Sequence, residues 1–236
     1  MRLLGIDGCR TGWVIAASDP GLHALEFSIV QDLRAPGRSA SAGRALIAID
    51  VPIGLARSTP RACDVDARRF LRAPRASSVF PAPSRAALGA ASYAEACARS
   101  LHACGRRLSR QLYGILGKIS EVDRLLTPVV QSRVREVHPE VTFAVLAGRN
   151  RGLARSKKTP AGESERLAIL MRMAPAFDPE SVRRRLGTAA VARDDIIDAV
   201  ACLITASRIH DGTAAVFPRV AAPERDPRGL RMEIVA

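Results

Sequence analysis

The sequence predicts an α/β fold, a mixed β-sheet covered by helices. Three observations carry that expectation. The first quarter of the chain reads as short apolar runs separated by turns, with no helix after the first of them. A continuous apolar run over 45–51 suits a strand buried on both faces. Beyond residue 108 most segments show apolar positions three and four apart, the mark of helices packed on one side.

Taken in order, Leu3–Asp7 is an apolar strand ending in an acid. Gly8 to Gly12 form a polar turn bounded by glycines, and Trp13–Ala17 returns as a second strand. Leu25–Val30 is a third strand and Ala45–Val51 a fourth. Cys63–Leu71 is a short helix. Pro74, Pro81 and Pro83 make 72–85 a loop. Leu112, Ile115, Ile119, Val122 and Leu126 define one face of a single helix that starts near Leu108 and stops before Pro128. Val134–Val137 is a short strand. Pro139 and Glu140 open a helix that runs to about Gly148. Further helices are expected over Glu163–Met173, from Asp178–Pro179 to Gly187, and over Asp194–Ile209, with a late strand in Leu230–Val235.

The 236 residues are 47% hydrophobic and 25% charged, which excludes a mainly disordered chain. No apolar run approaches the length of a membrane span, and the apolar stretch after Met1 is too short for a signal peptide, so a cytoplasmic location and no membrane partner are expected. Five scattered cysteines contain no CxxC pair, and Cys97, His102 and Cys104 lack the paired spacing of a zinc site. Lys and Arg number 36 against 23 Asp and Glu, a net charge of +13. That balance favours a polyanionic partner, namely nucleic acid, RNA or DNA. The 4% aromatic content argues against a single-strand binder built on stacking platforms. Residues 56–133 carry 14 basic and 5 acidic side chains, and read as a helical, basic insertion within one domain spanning 1–236. The oligomeric state is left open, with a homodimer among the options.

In this basic chain the acids stand at strand ends and one helix start. Asp7 closes the first strand, Asp50 the fourth, Glu136 lies in the fifth with Glu140 just beyond, and Asp194, Asp195 and Asp198 open the last long helix. Asp195 and Asp198 are three apart and share a face. Carboxylates gathered together repel, and a divalent cation with oxygen ligands relieves that conflict. Such a centre suits phosphodiester cleavage by paired ions. Asp194 and Asp195 would equally favour a helix N-terminus on their own. Lys157 and Lys158, and Arg10 in the first turn, are candidates for holding phosphate; a solvated basic loop is the plainer reading of the lysines. His138 is first a local hydrogen-bonding residue and second a general acid. Gly114–Lys118 lacks the glycine spacing of a phosphate loop.

The stretches Gly5-Ile6-Asp7-Gly8-Cys9-Arg10-Thr11-Gly12-Trp13, Ile49-Asp50-Val51-Pro52, Ser78-Val79-Phe80-Pro81, Glu136-Val137-His138-Pro139-Glu140, Ser156-Lys157-Lys158-Thr159 and Asp194-Asp195-Ile196-Ile197-Asp198-Ala199 together resemble the domain-of-unknown-function family DUF429. Its members are predicted RNase H-like nucleases. The resemblance implies a ribonuclease H-like fold, a five-stranded mixed sheet with its second strand antiparallel and a helical insertion between the fourth and fifth strands. It implies Mg²⁺ or Mn²⁺ as cofactor and a metal-dependent nuclease activity. Asp7, Asp50, Glu136 and Asp195 would be catalytic, and with Asp198 would hold the ions; Glu136 departs from the simplest superfamily pattern. Arg10, Lys157 and Lys158 would bind substrate. Two other readings stand beside it. One is an ATP-binding phosphotransferase of the actin and sugar-kinase type, suggested by Gly8 and Gly12 in the first hairpin. The other is a non-catalytic nucleic-acid-binding scaffold.

Overall fold

The computed structural model of the chain describes residues 1–58 and 60–236. Position 59, within the expected insertion, lies outside them. The chain opens as a meander. β1 (Arg2–Cys9), β2 (Gly12–Ser18) and β3 (Glu26–Val30) pair antiparallel, joined first by a turn of only Arg10 and Thr11. At Gly12 φ is +147°, and a Cβ there would stand 2.2 Å from the Val30 carbonyl oxygen, so this corner needs glycine. β4 (Ala45–Ile49) then lies parallel to β1, and β5 (Val134–Glu136) parallel to β4. The resulting five-stranded mixed sheet has the order β3-β2-β1-β4-β5, with β2 the strand that runs against its neighbours.

Strand alternation sorts the apolar residues into two cores. Leu4, Ile6, Ile15, Ile47 and Ile49 face one side and meet Leu112, Leu116, Ile119 and Val122. Leu3, Val14, Ala16, Leu46 and Ala48 face the other and meet Phe143 and α9 (Arg193–His210). α9 is buried at every residue from Ile196 to Ser207, which explains the near-absence of a polar stripe in its sequence. It lies so close to β1 that a Cβ on Gly5 would stand 2.1 Å from the Leu203 amide nitrogen and 2.2 Å from the Ala199 carbonyl oxygen.

The segment between β4 and β5 is helical, as expected, but differs in its parts. It holds α2 (Ala62–Leu71), α3 (Tyr93–Cys104), α4 (Arg110–Gly114) and α5 (Leu116–Leu125). The single helix expected from Leu108 to Leu126 is broken at Ile115, where φ is −103° and ψ 2°. α3 was not expected because its buried positions are the small Ala96, Cys97 and Ser100; Ser92 caps it by accepting the Glu95 amide. α1 (Arg34–Ser41) was hidden by Pro36, Gly37 and two serines, and is held by burial of Pro36 and Ala40. α6 (Pro139–Leu146), α7 (Pro160–Leu170) and α8 (Pro179–Leu186) each start on a proline. Thr159 caps α7 and Asp178 caps α8. Of the late strand, only β7 (Ile234–Val235) forms, against β6 (Val216–Phe217). Among the described residues no helix is long and apolar enough to cross a membrane.

Candidate metal centre and its cleft

The pleat decides which acids meet. On β1, Leu3, Gly5 and Asp7 alternate onto the α9 side; after β4, Asp50 follows Ala48 onto the same side. The Asp50 amide donates to the Ile6 carbonyl oxygen at 3.0 Å, which extends the parallel pairing past Ile49 and fixes Asp50 next to Asp7. The close approach of α9 at Gly5 then brings in Asp198. One carboxylate oxygen from each of Asp7, Asp50 and Asp198 lies within 4.8 Å of the others. Asp7 and Asp50 are half-buried and Asp198 is buried.

Burial raises all three carboxylates above their ordinary range, and mutual repulsion adds to it. Asp7 stands well above, through burial and then through Asp50, Asp198 and Asp195. Burial lifts Asp50, with Glu140 adding, while His138 and Lys157 pull it down. Burial pushes Asp198 up to about 7, against the pull of Lys157. Burial also works against the Lys157 ammonium, but Asp198 and then Asp194 outweigh it and hold the lysine charged. Its Nζ donates to Asp198 Oδ2 at 2.6 Å and stands 3.6 Å from Asp194 Oδ2.

Not every expected residue joins this group. Asp195 caps α9, accepting the Ala192 amide at 3.0 Å; it adds to the repulsion on Asp7 but its carboxylate is outside the close triad. Asp198, expected beside it, takes the inner place.

Glu136 belongs to a different network, which corrects its expected role as a ligand. It pairs in register with Ile49, so it projects to the face opposite Asp50. There its two oxygens accept Arg61 Nη2 at 2.7 Å and Nη1 at 2.8 Å, and Oε2 accepts the Ile53 amide at 2.6 Å. Arg61 is fully buried and also holds Asp64 and the carbonyls of Ile53 and Gly54. Burial raises Glu136 to about 7 even beside that guanidinium. Glu140 is likewise committed, to a bidentate pair with buried Arg166 at 2.7 Å.

A cleft of about 500 Å³ opens above the triad. Lys157 and Lys158 line it, as do Arg75 and Lys118, which the sequence reading did not propose as phosphate ligands. Lys118 reaches in from α5, its ammonium 4.5 Å above the Trp13 ring and donating to the Gly12 carbonyl. Arg10 sits exposed in the β1–β2 turn and is not among the lining residues. His138 is at the rim, its Nε2 3.1 Å from the Ser78 carbonyl, which fixes Nε2 as the protonated nitrogen. A lysine in a helical pattern carries no spacing signal, so nothing short of the folded register could have pointed to Lys118.

Three carboxylates converging on one point, raised by burial and pulled down only in part by Lys157 and, at Asp50, by His138, could hold an oxygen-seeking divalent ion. No curated protein and no solved structure matches the chain. The model of one family, described as "Protein of unknown function (DUF429)", matches residues 5–222. That span contains most of β1, all of β2 to β5 and every residue of the triad and its cleft, so the chain belongs to the DUF429 family.

Proposed function

We propose that the protein is a divalent-metal-dependent hydrolase of phosphodiester bonds in nucleic acid, built on a ribonuclease H-like domain. The observation that carries this reading is the triad Asp7, Asp50 and Asp198 at the floor of a cleft walled by basic side chains. The sheet order, with its antiparallel second strand, supports the domain assignment. The insertion over 56–133 supplies Arg75 and Lys118 to one wall.

Asp7, Asp50 and Asp198 would hold Mg²⁺ or Mn²⁺, with Asp195 supporting from the first turn of α9. A bound ion of this kind supplies a water nucleophile at neutral pH and neutralises charge at the leaving oxygen. The chain's own residues do the rest. Lys157 favours the ionised form of Asp198 against the effect of burial, and so its readiness as a ligand. Lys158, exposed at the rim, and Arg75 attract and orient the phosphate backbone. The Arg61–Glu136 pair fixes the chain between β4 and α2, and the Glu140–Arg166 pair fixes α6 against α7.

The test is cleavage of a panel of single strands, RNA–DNA hybrids and branched DNA with Mg²⁺ or Mn²⁺, using Asp7→Asn as control. Metal-dependent cleavage lost in the variant supports the reading. No cleavage above the variant on any substrate overturns it.

A further inference from the structure

One wall of the cleft is apolar and solvent-facing. Among the described residues eight large hydrophobic side chains are exposed, and two of them, Phe80 at 45% and Ile115 at 37%, line this same cleft together with the more buried Leu112. Exposed apolar surface gathered in a cleft marks a contact site.

Neither exposure is accidental. The backbone on both sides of Phe80 is pinned: Arg68 Nη1 donates to the Val79 carbonyl at 2.6 Å, and the Ala82 amide donates to Asp64 Oδ2 at 3.0 Å. Val79 and Ala82 are buried while the ring between them is held out. Ile115 is where the α4–α5 helix breaks, which takes a residue of apolar spacing off the buried face and into the cleft. A break in local regularity at a site is a common sign of function.

We propose that Phe80, Leu112 and Ile115 form a shelf that seats one unpaired nucleobase of a single strand, while Arg75 and Lys158 hold its flanking phosphates. This deepens the nucleic-acid reading above and rests on it. The chemistry is specific on three counts. A base within a duplex has its faces covered by its neighbours, so a shelf serves only a base out of the stack. The exposed Gln111 at the shelf's edge carries the donor and acceptor that a base edge requires. The basic side chains of the same cleft match the charge of the strand. One ring backed by two aliphatic side chains replaces the row of aromatics that the composition rules out.

The test measures binding without cleavage. Fluorescein-labelled single-stranded DNA of mixed sequence and its blunt duplex are titrated with the protein in EDTA and read by anisotropy. Wild type should prefer the single strand. Phe80→Ala should weaken single-strand binding about five- to a hundredfold, the range for loss of one stacked base, and leave duplex binding unchanged. Phe80→Tyr should retain wild-type affinity, and a thermal melt of each variant checks its folding. Equal binding of strand and duplex with no effect of Phe80→Ala overturns the shelf, while nuclease activity on the panel would stand. Adenosine monophosphate competing as tightly as the strand would overturn the strand in favour of a free nucleotide. Binding of neither nucleic acid overturns the shelf, while the cleavage panel with metal decides the nuclease reading separately.

Discussion

The Nζ of Lys157 donates to Oδ2 of Asp198 at 2.6 Å, yet the two residues differ in setting: the carboxylate side chain is 4% exposed and the lysine 35%. The lysine thus brings a positive charge from the cleft to an otherwise uncompensated acid in the core. Lys157→Met should cost about 1–2 kcal/mol, below the full value of a charged hydrogen bond because the lysine is partly solvated. Mg²⁺ or Mn²⁺ should restore part of that loss. Urea unfolding with and without metal checks both. An unchanged midpoint without metal would contradict the role given to the lysine.

Asp7 and Asp198 both bind protons more tightly in the folded chain than unfolded, Asp198 titrating at about 7. For such raised groups stability is greatest on the acid side, and it falls as pH climbs from about 4, where unfolded carboxylates ionise, through about 7. Asp7→Asn removes part of this burden. Without metal, the variant should gain in Tm over wild type as pH rises across that window, and it should no longer gain from added Mn²⁺. Melting by circular dichroism across pH reads the difference; a gap that narrows with rising pH would refute it.

Glu136→Gln leaves the buried Arg61 guanidinium with one acidic partner, Asp64. Breaking such a pair should cost about 3 kcal/mol. Mn²⁺ affinity, followed by calorimetric titration, should stay within about twofold, since Glu136 lies on the opposite face from the triad. A large loss of metal affinity in a folded variant would return Glu136 to the centre.

Gly5→Ala inserts a methyl where the α9 backbone stands 2.1 Å away. Helix and strand must separate, at a cost of about 3 kcal/mol. Because Asp198 rides on that helix and Asp7 on that strand, Mn²⁺ affinity should fall as well, even though neither ligand is altered. Retention of full affinity in the variant would show that the triad tolerates the displacement.

Much of this was legible in the residues. The strands of the first third followed from apolar runs and the glycine-bounded turn, and Pro139 and Pro179 marked helix starts, while α7 begins at Pro160, ahead of the expected Glu163. Asp7 and Asp50 stood out as acids ending apolar runs and Asp198 as an acid opening the last helix; each alone would pass as an ordinary strand-end or helix-start residue, and only their combination pointed to a shared site. Glu136 misled for a specific reason: proximity along neighbouring strands says nothing of face, and only the Ile49–Glu136 register turns its side chain away. That Asp195 caps α9 and stands outside the close triad could not be read from the sequence, where a helix-capping acid and a ligand look alike. Ile115 has apolar spacing that argues for burial, which outweighed Gly114 and Gly117, the weak helix formers that flank the break. α1 and α3 lacked large apolar residues at helical spacing.

The run of twelve consecutive buried residues in α9 also bears on the cleft. Amides in such a helix should exchange with solvent only on global unfolding, whereas Ser77 and Phe80 are exposed in the lining of the cleft. The cleft therefore has one fixed wall, and Asp198 is carried on it. Whatever occupies the cleft must be brought to Asp198, which α9 holds in place.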